Sequence, residues 1–85
     1  MQLPYKVLVL DDDKLVTSSL KSLLMLEGFT DVVYFNSPKE ALDYLNENSR
    51  DVIISDFKMP EMTGLEFLTE ARKLHPNASM ILLTG

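Results

Sequence analysis

Four short runs of the chain are apolar and rich in β-branched residues: YKVLVL (5–10), DVVYF (31–35), DVIIS (51–55) and SMILLT (79–84). Their length and composition predict strands. Three are nearly continuous rather than alternating, the pattern of a parallel sheet covered on both faces. Helical spacing fills the gaps between them. In the first gap Val16, Leu20, Leu23 and Leu24 fall on one stripe, and Gly28 supplies the stop. The second gap opens with SPKE, where Ser37 caps, Pro38 occupies the first turn and Glu40 follows three after the cap. Ala41, Leu42 and Leu45 form its buried stripe. The third opens with TGLE, again with capping-box spacing from Thr63 to Glu66, and Leu65, Leu68 and Ala71 make its stripe. His75 and Pro76 close it, because proline cannot continue a helix.

The predicted order is therefore βαβαβαβ. Such alternation implies right-handed crossovers and an α/β fold with a doubly wound parallel sheet. In open sheets of this type ligands bind beyond the carboxyl ends of the strands. That rule singles out Asp11 and Asp12 after the first strand, Asp56 after the third and Thr84 after the fourth.

The bulk numbers narrow the setting. Eighty-five residues with 46% apolar composition are read as one domain, 1–85, with a modest core. A net charge of −5 argues against nucleic acid or an anionic membrane as the main partner. With no cysteine, disulfides and thiolate metal sites are excluded. No run approaches the ~18 apolar residues of a membrane span, and MQLPYK has no signal-peptide core. The expected setting is cytoplasmic.

The stretch VLVLDDDK, where an apolar strand runs into three adjacent aspartates, carries the candidate chemistry. If the first and third strands are neighbours, Asp11, Asp12 and Asp56 converge. Two carboxylates ~4 Å apart repel by ~4 kcal/mol at an effective dielectric of ~20. A cation offsets that cost, and a few carboxylates plus waters and a phosphate suit Mg²⁺ better than Ca²⁺. A plainer role also exists for such residues: an aspartate ahead of a helix is a good N-cap, and Asp13 is assigned that role.

VLVLDDD, then DVIISDFKMPEMTG, then MILLTG resembles, in order and spacing, the receiver domain of two-component response regulators. The DFKMPEMTG loop is the most specific part. The resemblance implies a flavodoxin-like fold and a phosphorylatable switch rather than a stand-alone enzyme. Asp56 would be the phosphoacceptor, receiving a phosphoryl group from a sensor histidine kinase or phosphotransfer protein. Mg²⁺ would be held by Asp11, Asp12, Asp56 and the backbone carbonyl of Lys58. Thr84 would donate its hydroxyl to the phosphoryl group as the switch residue. Met59 and Pro60 are read as turn residues, Gly64 as a site of positive φ or close backbone approach, and the Lys58 side chain as solvated. His75 is read as a helix-end residue.

The family's full pattern has strand order 2-1-3-4-5. Here the predicted elements stop at four strands in order 2-1-3-4, so the fifth strand and last two helices are missing, with the family's lysine and aromatic switch residue. The chain is therefore read as a truncated receiver. Its fourth strand becomes an uncharged apolar edge, a template for pairing with another chain. A homodimer or segment-swapped oligomer through that strand is expected.

Two other functional classes bear on the same residues. A non-signalling, self-assembling receiver fragment would keep the acidic pocket without the switch. A Mg²⁺ phosphohydrolase would use Asp11 as nucleophile with Asp13 at Asp-x-Asp spacing, but Leu15 stands where such enzymes place threonine or valine. An EF-hand starting at Asp11 fails, since its sixth position is Val16 and its twelfth Ser22.

Overall fold

A computed structural model describes residues 3–84. Met1, Gln2 and Gly85, which closes the last motif, lie outside the described residues. The elements follow the predicted order: β1 (Leu3–Leu10), α1 (Lys14–Leu26), β2 (Phe29–Phe35), α2 (Pro38–Glu47), β3 (Val52–Asp56), α3 (Gly64–Leu74) and β4 (Ser79–Leu83). All pairings are parallel and the sheet order is β2-β1-β3-β4. The fold is flavodoxin-like α/β, with β2 and β4 at its edges.

Local chemistry sets the helix ends. Asp13 caps α1 by accepting a hydrogen bond from the Leu15 amide at 2.9 Å. Gly28, at φ 98°, lets the chain leave α1 in the left-handed region that glycine favours. Ser37 caps α2 with Pro38 in the first turn. Thr63 and Glu66 form a reciprocal capping box on α3, each side chain bonding the other's backbone N–H at 3.2 and 2.9 Å.

Strand alternation divides the apolar residues between two faces. Leu8, Leu10 and Ile53 point toward α2 and α3, where Ala41, Leu45, Phe67, Leu68 and Ala71 complete the core. Val7, Val9, Val52, Ile54 and Ile81 point to the face carrying α1. Burial at α1 is lighter: Thr17 is its buried residue, Val16, Leu20 and Leu24 are half-buried, and Leu23 is 53% exposed. Leu23 therefore lies off the expected stripe, because the buried arc of α1 runs Val16–Leu20–Leu24 with Thr17.

Leu65 is likewise 60% exposed. The capping box starts α3 at Gly64, so the inward arc is Gly64, Phe67, Leu68 and Ala71 at positions i, i+3, i+4 and i+7. Phe67, fully buried, takes the place expected of Leu65. His75 is the C-cap of α3. Its ring Nε2 also reaches the Leu45 carbonyl at 2.7 Å, tying α3 to α2.

Candidate metal and phosphoryl-acceptor site

The β1 ladder ends when the Asp11 amide donates to the Phe35 carbonyl at 3.1 Å. The chain then turns into α1, and the turn is pinned from inside. Asp11 Oδ1 accepts from the Asp13 amide at 2.9 Å, and the Asp11 carbonyl accepts from Asn36 Nδ2 at 2.7 Å. Asn36 Nδ2 also reaches Thr17 Oγ1 at 3.2 Å, and Thr17 Oγ1 donates to the Lys14 carbonyl at 3.0 Å. The pairing of β1 with β3 sets Leu10 beside Ser55, which brings Asp56 level with Asp11.

The result is the convergence the spacing predicted. Asp11, Asp12 and Asp56 each offer a carboxylate oxygen, and these oxygens lie within 4.8 Å of one another. Asp11 is buried, Asp56 half-buried and Asp12 exposed. Burial pushes the Asp11 carboxyl above its ordinary value of 3.8; the hydrogen bond from Asp13 opposes this, while the charges of Asp56, Asp12 and Asp13 add to it. Among the described residues the ion pairs are Arg50–Asp31 and Lys73–Glu70, neither at this rim. The cluster thus offers a hard, all-oxygen, negatively charged donor set, which fits a divalent cation such as Mg²⁺.

The other candidate residues gather at the same rim by register. Asp56 pairs with Leu83, so Thr84 follows directly after β4, and the Phe57 amide donates to the Leu83 carbonyl at 3.0 Å. Thr84 is exposed. Lys58, also exposed, joins Asp12, Met59, Pro60 and Thr63 around an open depression of about 370 Å³. Met59 packs into the core. Gly64 serves close approach, not positive φ: its amide donates to the Phe57 carbonyl at 2.8 Å, and among the described residues only Gly28 has a positive φ. A Cβ on Gly64 would collide with the Asp56 carbonyl oxygen and sit 2.7 Å from Leu82 Cδ1.

A cavity of about 620 Å³ lies at the opposite end of the sheet beside Tyr5, Asp51, His75 and Ser79, away from the carboxylates. Two residues of structural weight escape a sequence reading. Asn36 lies between β2 and the SPKE cap of α2 and takes no part in that motif. Arg50, whose side chain is 9% exposed, bonds the Asp31 carboxylate at 2.6 Å and the Tyr44 hydroxyl at 2.8 Å. The only sequence signal for Arg50 is a charged residue directly ahead of an apolar strand.

The chain matches the family model for the response regulator receiver domain over residues 7–85. It is 44% identical over 80 residues to a CpxR homolog, a transcriptional regulatory protein of Haemophilus influenzae, covering 94% of this chain and 34% of that protein. It is 39% identical to the C4-dicarboxylate transport transcriptional regulatory protein DctD of Rhizobium meliloti, covering 93% of this chain and 17% of that one. The chain thus spans about a third or less of these curated relatives. Among solved structures, a response regulator receiver domain protein from Clostridium thermocellum superposes with a TM-score of 0.87 at 38% identity, covering 95% of this chain and 65% of that chain. A CheY-like receiver domain protein from Methanospirillum hungatei gives 0.88 at 32% identity, covering 95% and 64%.

Proposed function

This chain belongs to the response regulator receiver domain family, and from that premise we propose that it accepts a phosphoryl group on Asp56 as a Mg²⁺-dependent switch in a phosphorelay. The observation that carries the proposal is the meeting of three carboxylates within 4.8 Å at the carboxyl ends of β1 and β3. The donor is a sensor histidine kinase or phosphotransfer protein bearing phosphohistidine. An Asp56 carboxylate oxygen attacks phosphorus, the P–N bond breaks, and the imidazole leaves with the electron pair. Asp11, Asp12, Asp56 and the Lys58 carbonyl hold the ion. When bound, Mg²⁺ offsets charge on the nucleophile and on the incoming phosphoryl oxygens. Thr84, next to the Asp56 partner Leu83, donates its hydroxyl to the transferred group. The role is that of a signalling module in the cytoplasm, without a substrate of its own to turn over.

Incubation with Mg²⁺ and a small acyl or amido phosphate tests this by mass spectrometry. The expected result is one phosphoryl addition, labile to hydroxylamine and absent from Asp56→Asn with its circular dichroism unchanged. A folded parent chain that gains no phosphoryl group sinks the reading.

A second reading, self-assembly, draws on the β4 edge. Ser79–Leu83 carries no charge, Ile81 is 44% exposed, and an apolar groove of about 390 Å³ adjoins it, lined by Val7, Leu24, Val52 and Ile54 among others. We propose that this edge pairs with a second copy, directly or with exchange of segments. Light scattering at micromolar concentration is expected to show a dimer that Ile81→Lys converts to monomer; a compact monomer from the parent chain rules it out.

A further inference from the structure

Asp11 is 4% exposed, and its carbonyl lies one residue past the end of β1, where ladder partners run out. A buried acceptor in that position costs about 1–3 kcal/mol unless a donor reaches it. The donor is a side chain from another strand end: Asn36 Nδ2, at 2.7 Å. A carbonyl can only accept, so the amide nitrogen of Asn36 must be the atom that faces it.

The consequence passes to the next residue. A peptide unit is planar, so fixing the Asp11 carbonyl also fixes the Asp12 amide and Cα; with the Asp13 amide held as well, the two torsions of Asp12, and with them the direction in which its side chain leaves the backbone, are constrained. Asp12 itself is exposed. The Asp13 amide is held by Asp11 Oδ1 on the far side. Asp12 thus sits between two pinned peptide units. The contact of Asn36 with Thr17 Oγ1, a buried hydroxyl, extends the clip to the second turn of α1.

We infer that Asn36 is a positioning residue for the metal site, holding the Asp11–Asp12 peptide so that the Asp12 carboxylate meets those of Asp11 and Asp56. It touches neither ion nor phosphoryl group and acts through the backbone of Asp11. The inference rests on the Mg²⁺ reading given above.

Two variants separate positioning from charge. Asn36→Ala removes the donor. Asn36→Asp keeps the shape but sets a carboxylate against the Asp11 carbonyl, while adding a negative charge near the cation. Mn²⁺ is the probe, with free ion counted by electron paramagnetic resonance and the metal-free unfolding midpoint measured alongside. Positioning predicts that both variants weaken Mn²⁺ binding by about tenfold, as loss of supporting hydrogen bonds around a metal site does. An Asn36→Asp chain that binds as tightly as the parent, or more tightly, overturns the inference, since charge then outweighs geometry. So does a lowered midpoint with unchanged binding in either variant, the mark of a merely structural bond. A parent chain with no saturable Mn²⁺ binding sinks the metal reading together with this one.

Discussion

The two ends of the sheet handle charge in opposite ways. At the amino-terminal end of the strands, acids are matched: Asp31 meets Arg50 at 2.6 Å, and Asp51 Oδ2 accepts the Lys6 amide at 2.8 Å. Arg50 also donates from Nη1 to the Asp31 carbonyl and from Nη2 to the Tyr44 hydroxyl, and its guanidinium lies 5.5 Å from the Tyr44 ring centre. At the carboxyl end, three acids converge without a cationic side chain among the described ion pairs. One end uses charge to hold segments together. Among the described residues the other leaves its acids without a cationic partner, and under the proposed function that is where an external cation would gain most.

The largest expected effect comes from disturbing how that rim is built. Gly64→Ala drives a methyl group into the Asp56 carbonyl and Leu82, and neighbouring backbone cannot yield cheaply. A loss of about 3 kcal/mol is expected in urea unfolding, at the upper end for overpacking. Full stability in this variant would mean that the β3–α3 approach is looser than described.

Mg²⁺ sharpens the contrast next. At a hundredfold excess over its Kd, an ion that binds only the folded chain adds about 2.7 kcal/mol. The gain is expected in thermal melts of the parent and is expected to be mostly lost in Asp12→Asn. An equal gain in both would place the ion elsewhere.

Arg50→Ala tests the matched end. It strands the Tyr44 hydroxyl and the Asp31 carbonyl, and the half-exposed Asp31 carboxylate can turn to water. A cost of about 2 kcal/mol is expected, with Mn²⁺ affinity unchanged. Altered metal binding would couple the two ends and break the contrast.

The smallest effect is the most specific. Burial raises the Asp11 carboxyl above its ordinary value, so the folded chain holds that proton more tightly than the unfolded one. Between the unfolded value near 3.8 and the raised folded value, the native state carries more bound protons, so this group's contribution to stability falls as pH rises. Asp11→Asn keeps an oxygen acceptor for the Asp13 amide while removing the charge. The metal-free variant is expected to be more stable than the parent at neutral pH, by less than about 1 kcal/mol, with a flatter pH profile. A destabilised variant would show that the carboxylate is held by more than it is repelled.

Much of this architecture was legible along the chain. Continuous apolar runs read as buried parallel strands because both faces of this sheet carry helices, and caps such as Asp13, Ser37 and Thr63 work through neighbours within a turn. Leu23 and Leu65 misled because a stripe at helical spacing leaves the rotation of the helix free by a residue. The Asp13 cap and the approach of Gly64 to Asp56 and Leu82 set that rotation, and Leu82 lies on a strand beyond the helix itself. Arg50 and Asn36 stayed invisible because their partners, Asp31 and Asp11, lie 19 and 25 positions away.

By itself the sequence determined the order of elements, the placing of aspartates at strand ends and the family, since periodicity, capping and motif spacing are properties of the chain alone. Tertiary structure decided which carboxylate is buried, how closely the three approach, and which residues hold them there. Those depend on strand register and on desolvation, which come into being only when segments distant in the chain share one space.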